Sequence, residues 1–144
     1  MIAREAIYAA LFARAAGAAE FVTAARRMRH GSTLTPVEQP ALYMRQKTEA
    51  ATVKTLGAPT VWTLVVELYV YVQSSDPYAA PASVLNPLID AIEAALAPPP
   101  ATGMQDLGLP DMVHHAAIVG KVEINEGGVR DQAVAIIPVE VLCL

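Results

Sequence analysis

From residue 60 onward the chain alternates. Trp62, Leu64, Val66, Leu68, Val70 and Val72 fall on one side, and Thr63, Val65, Glu67, Tyr69, Tyr71 and Gln73 on the other. A period of two marks a strand, because successive side chains leave opposite faces of a pleated backbone. The second side is itself partly apolar through Val65, Tyr69 and Tyr71, so a fully solvated face is not expected. Either this chain or a neighbouring molecule is expected to cover it.

Elsewhere the period changes. Ala3, Ala6, Ile7, Ala10 and Leu11 recur at helical spacing, with Tyr8 and Phe12 four apart, and predict a helix over 2–16 that stops at Gly17. Leu85, Leu88, Ile89, Ile92 and Leu96 share a face and predict a second helix, capped by Ser83, with Pro87 in its first turn. Pro98, Pro99 and Pro100 end it. Between the helices, residues 20–30 read as a strand placing Arg27 and Arg29 on one side and Arg26 and His30 on the other. Pro36 and Pro40 make 31–40 an extended loop, Ala41 to Lys47 reads as a short strand, and 48–59 as a second loop or the tip of a long hairpin.

The connection over 98–115 is longer than compact domains usually need and reads as a contact loop or a mobile one. A terminal hairpin follows, with Ile118, Val122 and Ile124 on one side of its first strand and Lys121 and Glu123 on the other. Glu126-Gly127-Gly128 supplies the turn. In the return strand, Gln132 to Leu142, Pro138 cannot donate a ladder hydrogen bond and marks an edge position or a bulge. The order α-β-β-β-α-β-β implies a single α+β domain over 1–144, two helices packed on one face of a largely antiparallel sheet.

Composition adds a surplus to this picture. Apolar residues make up 54% of 144 and charged residues 17%, with a mean hydropathy of +0.38. A chain of this size buries roughly 70% of its unfolded surface, enough for one core, and the remaining apolar area points to a partner. No apolar run reaches the ~18–20 residues of a membrane helix, since Glu67 interrupts the richest stretch. A soluble protein without a membrane partner is therefore expected. The alanine-rich N-terminus does not read as a signal peptide, because Glu5 follows Arg4 and Arg14 cuts the apolar stretch. One cysteine, Cys143, rules out an intramolecular disulfide and a thiolate metal cluster, and fits a reducing compartment.

The net charge of −4 conceals an asymmetry. Residues 1–54 hold eight basic groups against four acidic ones, whereas the remainder holds Lys121 and Arg130 against ten acidic groups. Such a subunit is electrically two-sided, which favours head-to-tail contact between copies, although a scattered solvated surface gives the same count.

Candidate chemistry is sparse. His114 and His115 are adjacent, so on a strand they point apart and do not clasp one ion; His30 is the remaining histidine, and no His-x-x-x-His or Cys-x-x-Cys spacing occurs. There is no Gly-x-Ser-x-Gly elbow and no phosphate-cradling glycine loop. The carboxylate pairs Asp90 with Glu93 and Glu123 with Glu126 read as solvated surface charge. No catalytic residue, metal or cofactor is expected. A pI near 5.3 argues against sequence-specific nucleic-acid binding by Arg26, Arg27, Arg29 and His30; a contact with another protein subunit and a solvated edge strand remain as uses for them. Trp62 reads as core, with an interface anchor as its other use.

Two stretches resemble a known family: Leu85 to Leu96 (LNPLIDAIEAAL) and Asp131 to Val139 (DQAVAIIPV), joined by Gln39-Pro40-Ala41-Leu42 and Thr60-Val61-Trp62-Thr63-Leu64. Together they resemble the lambda-type minor tail proteins of long-tailed phages, the tail terminators, over residues 20–144. The resemblance implies a non-enzymatic virion protein forming a homo-oligomeric ring, hexameric in that family, at the head-proximal end of the tail. Its partners would be the tail tube protein and a head-completion or connector protein, and it would assemble in the host cytoplasm. Arg26, Arg27, Arg29, Arg45, Lys47, Tyr69 and Tyr71 are the expected subunit or tube contacts, chosen by charge and strand exposure, with loops 31–40, 48–59 and 98–115 beside them. The alternatives are a head-tail joining or neck protein of the same particle, and a small-ligand-binding α+β domain using 98–115 as a lid.

Overall fold

The computed structural model describes residues 2–129 and 131–144. Helix α1 (Arg4–Ala16) precedes strands β1 (Thr23–Ala25), β2 (Ala41–Thr52) and β3 (Val61–Gln73). Helix α2 (Ala82–Ala95) leads to β4 (Val113–Ile118), β5 (Glu123–Val129) and β6 (Gln132–Cys143). The strands form one six-stranded sheet in the order β1-β2-β3-β6-β4, with β5 also on β6. Among the described residues the β1–β2 pair is parallel and the other pairs are antiparallel. Both helices pack on the same face, giving an α+β fold.

Alternation along β3 makes this layer. Leu64, Val66, Leu68, Val70 and Val72 are all at most 1% exposed. They meet Ala133, Ala135, Ile137, Val139 and Val141 of β6 and Ile7, Leu11, Leu85 and Ile92 of the helices in one core. Trp62 stands at the rim, half-buried, with the Arg4 guanidinium 4.5 Å from its ring centroid. Tyr8, on the buried side of α1, donates its hydroxyl to Glu49 Oε1 at 2.8 Å, and Arg4 Nε binds the other oxygen at 2.7 Å. This polar triad seals the core where β2 runs past α1.

Several expectations are corrected. The strand predicted over 20–30 is only three residues long, because beyond Ala25 the arginines turn to separate partners. The predicted alternation of Arg26, Arg27, Arg29 and His30 therefore does not exist. The strand expected to end at Lys47 continues to Thr52 and pairs with β3 across a register shift between Gln46 and Thr48, so 48–59 is the end of a long hairpin. Helix α2 begins at Ala82, with Pro81 as its N-cap. Ser83 lies inside the first turn and donates Oγ to the Ala80 carbonyl at 2.7 Å, and Pro87 lies in the helix interior.

The terminal hairpin also differs. Its first strand is split into β4 and β5, which lie end to end along β6. The break faces Pro138, whose carbonyl accepts from Val119 N–H at 3.2 Å. In a strand the N–H and C=O of one residue point to the same side, so the donor that proline lacks is missing on the side where pairing breaks. Pro138 thus sits in an internal strand at an irregularity of its neighbour. Gly127, with φ +70°, marks a register shift between Glu126 and Val129, and pairing continues to Val129 with Gln132 beyond the predicted turn.

Candidate subunit interface

With both helices on one face, the other face of the sheet stays open over much of its area. Register places Val65, Glu67 and Tyr69 of β3 beside Glu140, Pro138 and Ile136 of β6. All six are half-buried. Arg45, opposite Glu67 on β2, approaches its Oε1 at 3.9 Å, and Lys47 Nζ lies 3.5 Å from Oε2. Tyr69 adds its hydroxyl to Oε1 at 3.3 Å. One carboxylate, 16% exposed as a side chain, thus holds two half-exposed cations and a phenol. The Tyr69 hydroxyl is pushed above its ordinary pKa, first by burial and then by the Glu67 charge.

At one end the chain covers its own sheet. Tyr71 stacks on Tyr69 with centroids 6.4 Å apart and meets Tyr43 edge-on at 6.1 Å. Leu34 joins them, and Met28 packs alongside. Tyr71 is only 7% exposed. Expected as a contact residue, it is therefore covered by its own chain. The cover is held by Gln132, whose Nε2 donates to the Gly31 carbonyl at 3.0 Å. The partly apolar second face of β3 thus has two answers: this chain covers Tyr71, and Val65 and Tyr69 remain half-exposed.

The predicted arginines do not form one patch. Arg26 binds Glu5 at 2.5 Å and Gln46 at 3.0 Å, tying the end of β1 to α1 and β2. That bond raises the Arg26 pKa and lowers that of Glu5. Arg29 binds Glu38 and, at 2.9 Å, the Thr33 carbonyl, fastening 29–38. Arg29, together with the backbone and side chain of Thr35, holds the Glu38 carboxyl down at about 2. Arg27 is exposed. Of the seven predicted residues, only Arg45, Lys47 and Tyr69 converge, and they converge on Glu67.

Glu67 was not among the predicted contacts. Its signal was present, since a lone acid in a long apolar strand needs partners to sit half-buried. Gln105 was missed as well. Only 3% exposed, it donates Nε2 to the Ala97 carbonyl at 2.9 Å and accepts from Leu107 N–H at 3.1 Å. Its backbone N–H donates to His115 Nδ1 at 2.9 Å, so the connection expected to be a contact loop or a mobile one is fastened at its middle. Glu126, expected as solvated charge, accepts from the Ala82 N–H at 2.9 Å at the start of α2.

Among the described residues, no group of three or more His, Cys, Asp and Glu side chains is placed to hold a metal. A recess of about 560 Å³ lies between the β2–β3 hairpin and the C-terminal strand and is lined by Thr52, Lys54, Val61, His114, Leu142 and Cys143 among others. Burial raises the Cys143 pKa, which disfavours the thiolate a nucleophile needs. Among the described residues, no helix is long and apolar enough to cross a membrane. Compared with known protein families and with characterised proteins, the chain matches none.

Proposed function

We propose that this chain is a non-enzymatic structural subunit of a phage tail, forming a homo-oligomeric ring that caps the head-proximal end of the tail tube. The sequence resemblance supplies the family and the six-fold ring. The observation that carries the reading is the open sheet face, where Val65, Tyr69, Ile136 and Pro138 stay half-buried around the Arg45–Glu67–Lys47 cluster. An apolar surface with a few fixed charges is the composition of a protein–protein contact. The ring acts by association and exclusion: one face binds the last tube ring, and the other lacks the surface that a further tube subunit needs. It also offers the docking surface for the head connector.

The direct biochemical test adds purified chain to polymerising tube subunits of its own phage. Growth arrested in proportion to added protein supports the reading. Unchanged tube lengths at saturating protein contradict it.

A further inference from the structure

Strand order turns the charge asymmetry along the chain into one across the sheet. β1 and β2, from the basic first third, form one edge, and β4 and β5, from the acidic remainder, form the other. At the first edge Arg27, Arg45 and Lys47 reach solvent, with Glu67 as the shared counter-charge of the last two, while Glu49, the exposed acid of β2, is neutralised by Arg4. At the second, Asp111, Glu123 and Asp131 are exposed, with Lys121 the exposed cation among the described residues there.

Both edges have unpaired backbone. β1 covers β2 only at Ala41, Leu42 and Tyr43, so among the described residues no strand pairs the outer side of β2 from Met44 to Thr52. Among the described residues β5 pairs with β6 alone. On the β4 edge, by contrast, the Ala116 N–H already donates to the Gln105 carbonyl at 2.8 Å. An unpaired edge presents donors and acceptors that another strand can complete.

We propose that copies of this chain join head to tail, the outer edge of β2 in one lying against the outer edge of β5 in the next, so that the sheet continues across the subunit boundary. This rests on the assembly reading above and specifies its contact. The occupant is a second copy because one molecule carries both halves, opposite in charge and different in sequence. Such a heterologous contact leaves one basic and one acidic edge free at the ends of any open chain, and only closure satisfies both. Lys47 and the irregularity between Gln46 and Thr48 discourage indiscriminate edge pairing, and the Lys47 charge favours a partner that supplies carboxylates.

Cysteine cross-linking tests the contact. In a Cys143→Ser background, Thr48→Cys and Asn125→Cys each place one thiol at an exposed position of one edge. Treated with a short bismaleimide, the double variant is expected to give a ladder of covalent multimers, and each single variant only monomer. Dimers from either single variant would overturn the proposal, because they require like edges to meet. No ladder from a double variant that still elutes as an oligomer overturns the edge contact and leaves the ring reading standing. Monomeric elution of the unmodified chain at every concentration, with no ladder, removes both.

Discussion

Gln132 Nε2 donates to the carbonyl oxygen of Gly31 at 3.0 Å, joining residues 101 positions apart. The bond holds the 31–34 turn against the sheet, with the Gly31 backbone on the Tyr71 ring. A Cβ at Gly31 would lie 2.7 Å from Tyr71 Cε1 and 2.9 Å from Gln132 Oε1, closer than side chains tolerate. Gly31→Ala is therefore expected to displace the ring or the amide and to cost about 1–3 kcal/mol, as overpacking does. Thermal unfolding checks this, and an unchanged midpoint would show that the turn yields freely.

Acid stability should reveal Glu38. Its carboxyl ionises at about 2 in the fold against an ordinary 4.5, chiefly through Arg29. A carboxyl depressed on folding contributes stability that is complete above the unfolded value and lost as pH falls through the folded one. The midpoint difference between the native chain and Glu38→Gln is expected to be constant near about pH 6 and to shrink between about 4.5 and 2. A difference that does not vary with pH would rule the ion pair out.

Between α1 and β2, Tyr8 and Glu49 make a bond whose two halves are not equivalent. Tyr8→Phe removes the hydroxyl together with its need for a partner and is expected to cost about 0.5–1.5 kcal/mol. Glu49→Ala leaves the Tyr8 hydroxyl and Arg4 without that acceptor and is expected to cost more than Tyr8→Phe. Chemical denaturation of both variants gives the order, and the reverse order would contradict the arrangement.

The open face should separate folding from assembly. Glu67→Gln removes the carboxylate between Arg45 and Lys47, and because both cations are about half-exposed the stability loss is expected to stay within about 1 kcal/mol. Oligomer formation, measured by light scattering, is expected to fall because the cations lose their fixed positions. Leu68→Ala, on the opposite face of the same strand, is expected to cost about 2–5 kcal/mol through the cavity it leaves. Full assembly by Glu67→Gln would dissociate the cluster from subunit contact.

Much of this was legible in the sequence, and the rest failed for identifiable reasons. The period of two in β3 and of 3.6 in α2 located the core, because burial on one side leaves a regular trace. β2 was cut short at Lys47 since Thr48, Glu49, Ala50, Ala51 and Thr52 carry no apolar stripe; their strand comes from pairing with β3. The 20–30 strand failed because Glu5 and Glu38, distant or out of register, draw Arg26 and Arg29 away from any alternation. Charge and exposure named Arg45, Lys47 and Tyr69 as contacts, but their meeting at Glu67 depends on a register that no local pattern contains.

The proposal that this subunit ends the tail is tested by tail length in a phage whose copy of the gene is disrupted, measured by negative-stain electron microscopy. Overlong or variable tails that remain unattached to heads are expected. Tails of normal length lacking only heads would assign the chain to the neck instead, and intact infectious particles would contradict a structural role.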